Sequence, residues 1–251
     1  MNNEKIKESI KELKEKFEEI KKVSLHKSLR RGPTGIGYTF EKLIGKEEDS
    51  SYEPDYKGIE IKTKLGYSKS PITLFNLVGK RDDEVPICNY LINKFGYFRN
   101  GRQKQKALFS EIYTNTLTRI SSNFLWKLKV DIKEEKLKLI IIDNIFNIVD
   151  DSIYWNFNDI SDRLLTKLNY MALIKGYPYK YKKELYYKYT NFNIYKFKGF
   201  KEFLELLENG KISVCVAVSY NTLDDTVKLK DRNISFRLNI DSVDYLFTKI
   251  C

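Results

Sequence analysis

Pro54-Asp55-Tyr56-Lys57-Gly58-Ile59-Glu60-Ile61-Lys62-Thr63-Lys64 contains a turn that feeds a strand. Ile59 and Ile61 alternate with charged residues, the pattern of a strand with one buried face. Side chains two apart on a strand share a face, so Glu60 and Lys62 project together on the side away from the isoleucines. Asp55, just before the Lys57-Gly58 turn, can approach the same point. Two carboxylates and one ammonium at the edge of a buried strand make a place to hold a hard divalent cation and a water beside a phosphodiester. That is nuclease chemistry.

An Asp followed by acid-x-Lys arises by accident in a chain rich in Asp, Glu and Lys, so the motif needs context. Asp131 with Glu134-Glu135-Lys136 is such an accident: it lies in a polar turn between two strand-like runs, with no apolar alternation to anchor it. The Asp55 to Lys62 version has the Gly58 turn, the isoleucine alternation and a helix-like segment, Tyr38 to Ile44, upstream. There Phe40, Leu43 and Ile44 have helical spacing, which leaves Glu41 on a neighbouring face. Glu41 is either a third carboxylate of the site or a solvated helix glutamate.

The chain has 251 residues and a formal net charge of +11. That excess favours a polyanionic partner through phosphate neutralisation and counterion release, with nucleic acid the natural candidate and a merely basic soluble protein the plain alternative. Three well-separated cysteines, Cys88, Cys215 and Cys251, suggest neither a disulfide framework nor a zinc knuckle, and fit a reducing cytoplasm. His26 is the single histidine, which argues against a Ser-His-Asp or Cys-His system. No apolar run approaches the ~20 residues needed to span a bilayer, so the expectation is a cytoplasmic protein with no membrane partner.

Ile6, Ile10, Leu13, Phe17 and Ile20 step by four and three, which predicts an amphipathic helix docked on the domain. A break follows at Arg30-Arg31 and the Gly32/Gly35/Gly37 cluster. Strands are predicted at Ile59 to Lys64 and Ile72 to Val78, and a hairpin from Phe124 to Ile132 and Leu137 to Asp143. Asp159 to Leu168 is predicted helical with Asn158 or Asp159 near its cap, leading into a strand at Tyr170 to Ile174. A second helix, Phe200 to Leu207, is closed by Asn209-Gly210, and strands at Ile212 to Tyr220 and Ile234 to Ile240 follow. The arrangement is mixed α/β.

Several stretches resemble the monomeric MvaI/BcnI-type restriction endonucleases, relatives of the mismatch-repair nickase MutH. They are Gly32-Pro-Thr-Gly-Ile-Gly37, Thr39-Phe40-Glu41, Lys46-Glu47-Glu48-Asp49, Pro54-Asp55, Ile59-Glu60-Ile61-Lys62-Thr63 and Thr73-Leu74-Phe75. Further along, Asp151-Ser152-Ile153-Tyr154-Trp155-x-Phe157, Tyr186-Tyr187-Lys188-Tyr189, Glu208-Asn209-Gly210-x-Ile212 and Phe236-Arg237-Leu238-Asn239 are similar to the family too. The resemblance implies a PD-(D/E)xK core, a mixed sheet flanked by helices, with a catalytic lobe over 1–170 and a smaller DNA-recognition lobe over 171–251 that can interleave. It implies Mg2+ held by Asp55, Glu60 and the Ile61 carbonyl, with Lys62 orienting the nucleophile and Glu41 tuning the site. The implied reaction is hydrolysis of double-stranded DNA at a short specific sequence by a type II enzyme acting as a monomer, beside a cognate methyltransferase. The alternatives are a MutH-like nicking enzyme and a noncatalytic sequence-specific DNA-binding protein.

DNA contacts are expected in three places. Tyr177 to Lys198 alternates aromatic and basic residues, and can present Lys182 and Lys188 to phosphates, fill a second core with its tyrosines, or stack on unpaired bases. Arg99, Arg102 and Lys104 fall in a basic, glycine-containing stretch that is either a DNA-contacting loop or a plain surface loop. Arg232 and Arg237 flank the penultimate strand, and Arg237 is the better candidate for reading a guanine. One departure stands out: where the family carries histidines before the last match, this chain has Lys230-Asp231-Arg232-Asn233, which bears on the target sequence and not on the metal ligands.

Overall fold

The computed structural model describes residues 3–47, 52–83, 85–99, 102–221 and 228–251. Glu48 and Asp49, part of one quoted match, lie outside the described residues. The chain groups into two compact units, one made of Met1–Ser70, Arg163–Lys198 and Val243–Cys251, the other of Pro71–Asp162 and Gly199–Ser242. Both draw on segments distant in the sequence.

Helix α1 (Asn3–Lys22), strand β1 (His26–Lys27), helix α2 (Gly35–Leu43) and strand β2 (Glu60–Leu65) open the chain. Strand β3 (Ile72–Asn76), helix α3 (Ile87–Phe95), β4 (Tyr97–Arg99) and β5 (Arg102–Ile112) follow. Next come β6 (Thr118–Arg119), β7 (Phe124–Asp131), β8 (Lys136–Asp143), β9 (Ile148–Asn156) and helix α4 (Phe157–Leu168). The long strands β10 (Tyr170–Tyr181) and β11 (Glu184–Phe197) precede helix α5 (Phe200–Glu208) and strands β12 (Ile212–Asn221) and β13 (Lys228–Leu238). A short helix α6 (Val243–Leu246) and strand β14 (Phe247–Lys249) end it. Among the described residues no helix is long and apolar enough to cross a membrane.

The first unit is built on a mixed sheet, β1-β11-β10-β2, with β14 also paired to β11. Its one parallel pair is β2 with β10, where Glu60 lies opposite Met171 and Ile61 opposite Ala172. Parallel neighbours require a long crossover, and here the crossover carries all of residues 71–162. One face of the sheet is dry. Ile6, Leu13, Phe17 and Ile20 of α1 join Ile36 and Phe40 of α2 over Ile59, Ile61, Ala172, Ile174, Tyr187 and Tyr189 in a single core. The apolar stripe of α1 thus docks as its spacing predicts, each fully buried side chain contributing roughly 1.5–3 kcal/mol.

In the second unit two antiparallel sheets form, β3-β13-β12-β5-β4 and β6-β7-β8-β9. Their buried tryptophans find partners for the indole N–H, as buried indoles need: Trp126 donates to the Ser110 hydroxyl at 3.2 Å and Trp155 to the Leu77 carbonyl at 3.0 Å. The predicted β7/β8 hairpin is present, with Phe124 opposite Asp143. So is the closure of α5: Gly210 takes φ +64°, and its N–H and that of Lys211 bond the carbonyls of Leu207 and Leu206.

Four elements differ from expectation. Gly35 and Gly37 lie inside α2 rather than in a turn before it. Helical glycine costs about 1 kcal/mol relative to alanine, but here it permits close approach: a Cβ on Gly35 would sit 2.5 Å from the Arg30 carbonyl oxygen and 2.7 Å from the Tyr187 hydroxyl. Helix α4 begins at Phe157, so Asp159 falls in its first turn and accepts a bond from the Asn156 amide at 3.2 Å instead of capping. In the basic stretch Arg99 ends β4 and Arg102 to Lys106 lie in β5, with Arg99 paired to Arg102. Finally, β10 and β11 extend as a hairpin to Tyr181 and Glu184, turning on Lys182 and Lys183, both at positive φ.

Replacing Gly35 by alanine is expected to lower stability by about 1–3 kcal/mol, the usual cost of overpacking against backbone that cannot yield. A shift of the urea midpoint at unchanged slope measures it.

Candidate active site

Among the described residues β2 pairs with β10 alone, so its other edge is open. The Ile61 N–H turns to that open edge and donates to Asp55 Oδ2 at 3.0 Å. An isolated β-bridge between Tyr56 and Ile59 closes the turn that brings Asp55 back to the strand. Lys57 and Gly58 make the reversal at φ 44° and 85°, a left-handed pair that glycine tolerates without cost. A residue's N–H and C=O point to the same side of a strand, so the Ile61 carbonyl shares the edge that Asp55 occupies.

Glu60 and Lys62 project together, opposite the buried Ile59 and Ile61. Lys62 Nζ donates to Glu60 Oε1 at 2.7 Å. Glu60 is 3% exposed. A buried carboxylate is expensive unless compensated, and a second ammonium supplies compensation: Lys167, in the last turn of α4, stands 3.2 Å from Glu60 Oε2. That contact is an ion pair without hydrogen-bond alignment, since Oε2 is shielded from solvent and accepts no hydrogen bond. Burial pushes the Glu60 carboxyl above the ordinary glutamate range; Lys62 pulls it back, the nearby Asp55 charge raises it further, and Lys167 lowers it.

Glu41 lies on α2, whose approach to β2 depends on Gly37. A Cβ there would come within 2.9 Å of Thr63 Oγ1 and 3.6 Å of Glu41 Oε1. Thr63 and Glu41 thus both lie near Gly37, and the charge of Glu41 adds to the burial that pushes the Tyr189 phenol up.

The donors suit a hard cation. Among the described residues no group of three or more His, Cys, Asp or Glu side chains gathers, so any ion here would rely on Asp55, Glu60, main-chain oxygen and waters. Mg2+ is commonly bound in that way, through one or two carboxylates with several waters retained. The shielded, unbonded Oε2 of Glu60 is the atom such an ion would satisfy. Asp131, by contrast, ends β7 and Glu134 sits on the exposed turn after it, where Lys138 pairs with Glu134 at 2.8 Å. They hold no site.

The profile of the MvaI/BcnI restriction endonuclease family matches residues 14–247. The chain belongs to that family. Solved structures of similar fold include restriction endonuclease MvaI in complex with its cognate DNA substrate, at TM-score 0.85 and 29% identity over 95% of this chain and 96% of that one. MvaI in the absence of DNA is also similar, at TM-score 0.62 and 27% identity over 100% and 98%. No curated protein matches. MvaI/BcnI membership carries nuclease activity on DNA.

In this MvaI/BcnI chain the residues expected to meet DNA fall in separate places. Arg237 lies within β13, not beside it, and its Nη1 donates to Glu111 Oε1 at 2.9 Å. Glu111 also accepts from the Tyr113 hydroxyl at 2.8 Å, so the guanidinium is held in a fixed orientation. Arg232 is likewise in β13, and Arg99, Arg102 and Lys104 are in β4 and β5; their side chains lie outside those described. On the β10–β11 hairpin the tyrosines divide. Tyr187 and Tyr189 enter the α1/α2 core rather than a second one, and Tyr189 donates to the Ile36 carbonyl at 2.8 Å. Tyr177, Tyr179 and Tyr181 are exposed, and Lys188 is opposite Tyr177. This outer face is the side of the sheet that bears Glu60 and Lys62. Lys182 occupies the exposed tip.

His26 packs: its Nε2 lies 2.8 Å from the Ile20 carbonyl and its ring 5.8 Å from that of Tyr189. Lys167 escaped the sequence reading. The only sign of it lies in topology: α4 runs straight into β10, and Met171 pairs with Glu60, which sets the last turn of α4 beside that carboxylate.

Proposed function

We propose that this protein is a type II restriction endonuclease that hydrolyses both strands of double-stranded DNA at a short specific sequence, with Mg2+ as cofactor. The observation that carries the reading is the convergence of Asp55, Glu60 and Lys62 at the open edge of β2, in a chain of the MvaI/BcnI family. The PD-(D/E)xK pattern is written here as Pro54-Asp55 and Glu60-Ile61-Lys62.

Asp55, Glu60 and the Ile61 carbonyl would hold the ion, and Glu41 tunes it from α2. Bound Mg2+ offsets charge developing on the scissile phosphate and lowers the pKa of its water. Lys62, tethered to Glu60 Oε1, keeps its ammonium beside the place where the nucleophile forms, orienting it and stabilising its negative charge. The burial of Glu60 keeps competing water away from the carboxylate. Products carry 5′-phosphate and 3′-hydroxyl ends.

Duplex contacts fit the remaining chemistry. Exposed Lys188 and Lys182 neutralise phosphates along the sheet face that bears Glu60 and Lys62. Arg237, pre-oriented by Glu111, presents the planar fork that pairs with guanine O6 and N7. Arg99, Arg102, Lys104 and Arg232 add positive charge on β4, β5 and β13. The enzyme acts as a monomer, cutting the strands in turn, and a cognate methyltransferase protects the host's sites.

Purified protein with Mg2+ is expected to convert supercoiled plasmid to linear fragments with fixed ends, read by sequencing; persistent open circles would mean a nicking enzyme, and untouched plasmid a binder. Asp55→Ala and Lys62→Ala should each slow cleavage by at least about a hundredfold, with duplex binding retained in a mobility-shift assay. Arg237→Ala should weaken binding of the cognate site by about 1–3 kcal/mol and relax discrimination at one base pair. Lys188→Ala should weaken all sequences alike and reduce the slope of log affinity against log salt by about one.

A further inference from the structure

Lys62 is committed to one oxygen of Glu60, at 2.7 Å, which leaves Oε2 for other cations. What stands there is Lys167, at 3.2 Å, only 17% exposed at its side chain. The geometry of that pair is electrostatic and not hydrogen-bonded, so Glu60 attracts the ammonium by charge alone. Lys167 Nζ at the same time donates a hydrogen bond to the Glu53 carbonyl at 3.4 Å. One turn earlier on α4, the Arg163 guanidinium lies 4.1 Å over the Tyr52 ring. The end of α4 therefore grips the residues just before Pro54-Asp55 twice, once through a stacked arginine and once through the lysine that also faces Glu60. A lysine is a compact point charge on a flexible four-carbon stem, able to swing away from Glu60 while keeping its bond to the Glu53 carbonyl and leaving its helix in place.

We propose that Lys167 is a positioning residue that acts as the site's built-in counter-cation: its ammonium balances Glu60 Oε2 when no divalent ion is bound, and withdraws toward the Glu53 carbonyl, to which it already donates, when an ion takes that place. The proposal rests on reading Asp55 and Glu60 as a divalent-cation site. It assigns Lys167 two effects. The ammonium balances a buried anion when no metal is present, and it competes with the metal for the same oxygen. A lysine serving only to hold the helix would show neither effect.

The test compares the full-length chain with Lys167→Met, which keeps an apolar stem, and Lys167→Arg, which keeps the charge. Mg2+ binding is followed by titration calorimetry without DNA, and melting temperature is measured in chelator and in Mg2+. Lys167→Met is expected to bind Mg2+ about tenfold or more tightly than the parent, the scale of removing one charge a few ångströms from a ligand oxygen. It should melt lower than the parent in chelator, with the gap closing when Mg2+ is added, and Lys167→Arg should track the parent in both. Equal or weaker Mg2+ binding by Lys167→Met, or an unchanged melting temperature in chelator, overturns the proposal. If Lys167→Met does not fold in either buffer, Lys167→Gln takes its place under the same criteria. A parent protein that neither binds Mg2+ nor cuts DNA overturns the reading of the site itself, a failure separate from that of Lys167.

Discussion

Burying Glu60 at a sheet edge imposes a demand that the surrounding structure meets. A carboxylate removed from water must be compensated or it protonates. Lys62 meets the demand locally, from two residues along the same strand, and Lys167 meets it from a helix end distant in sequence. Asp55 brings a second carboxylate to the same edge through its bond to the Ile61 amide. The result is a compact cluster of two carboxylates and two ammoniums fixed by backbone pairing, with oxygen donors of the kind a hard metal takes.

The sheet of the first unit separates two kinds of work by face. One side packs against α1 and α2 and includes Tyr187 and Tyr189 among its buried residues, which makes it a stability surface. The other bears Glu60 and Lys62 and, further along β10 and β11, an exposed ladder of Tyr177, Tyr179 and Lys188. Side-chain alternation alone produces this division. The parallel pairing of β2 with β10 makes it useful, since the crossover between those strands is where the second unit is inserted. The Arg237 and Glu111 pair belongs to that inserted unit and shows the same principle of a charged group aimed by a partner.

Much of this was legible from short-range pattern. The docking stripe of α1, the β7/β8 hairpin and the Asn209-Gly210 closure each depend on residues within a few positions of one another, where periodicity and turn chemistry act directly. The Asp55 turn belongs to the same class, because Gly58 and the isoleucine alternation fix which way Glu60 and Lys62 point. Gly35 and Gly37 misled for an equally physical reason. Glycine signals a turn when its backbone freedom is in demand, but here its small size is what matters, letting α2 approach Tyr187 and Thr63. Arg102 to Lys106 misled because its composition suits a loop, while its pairing with β4 on one side and, at Gln105 and Lys106, with β12 on the other makes it strand.

The amino-acid order by itself determined the chemistry on offer at β2 and the face on which it stands, since a strand's alternation and a glycine turn are settled by neighbours in the chain. Only the tertiary structure decided that Lys167 faces Glu60, that Tyr187 and Tyr189 are buried while Tyr177 and Tyr179 are not, and that Glu111 holds Arg237. Each of those depends on which strand lies beside which. That choice is made by the burial of whole faces across an inserted unit, a collective effect that no local pattern encodes.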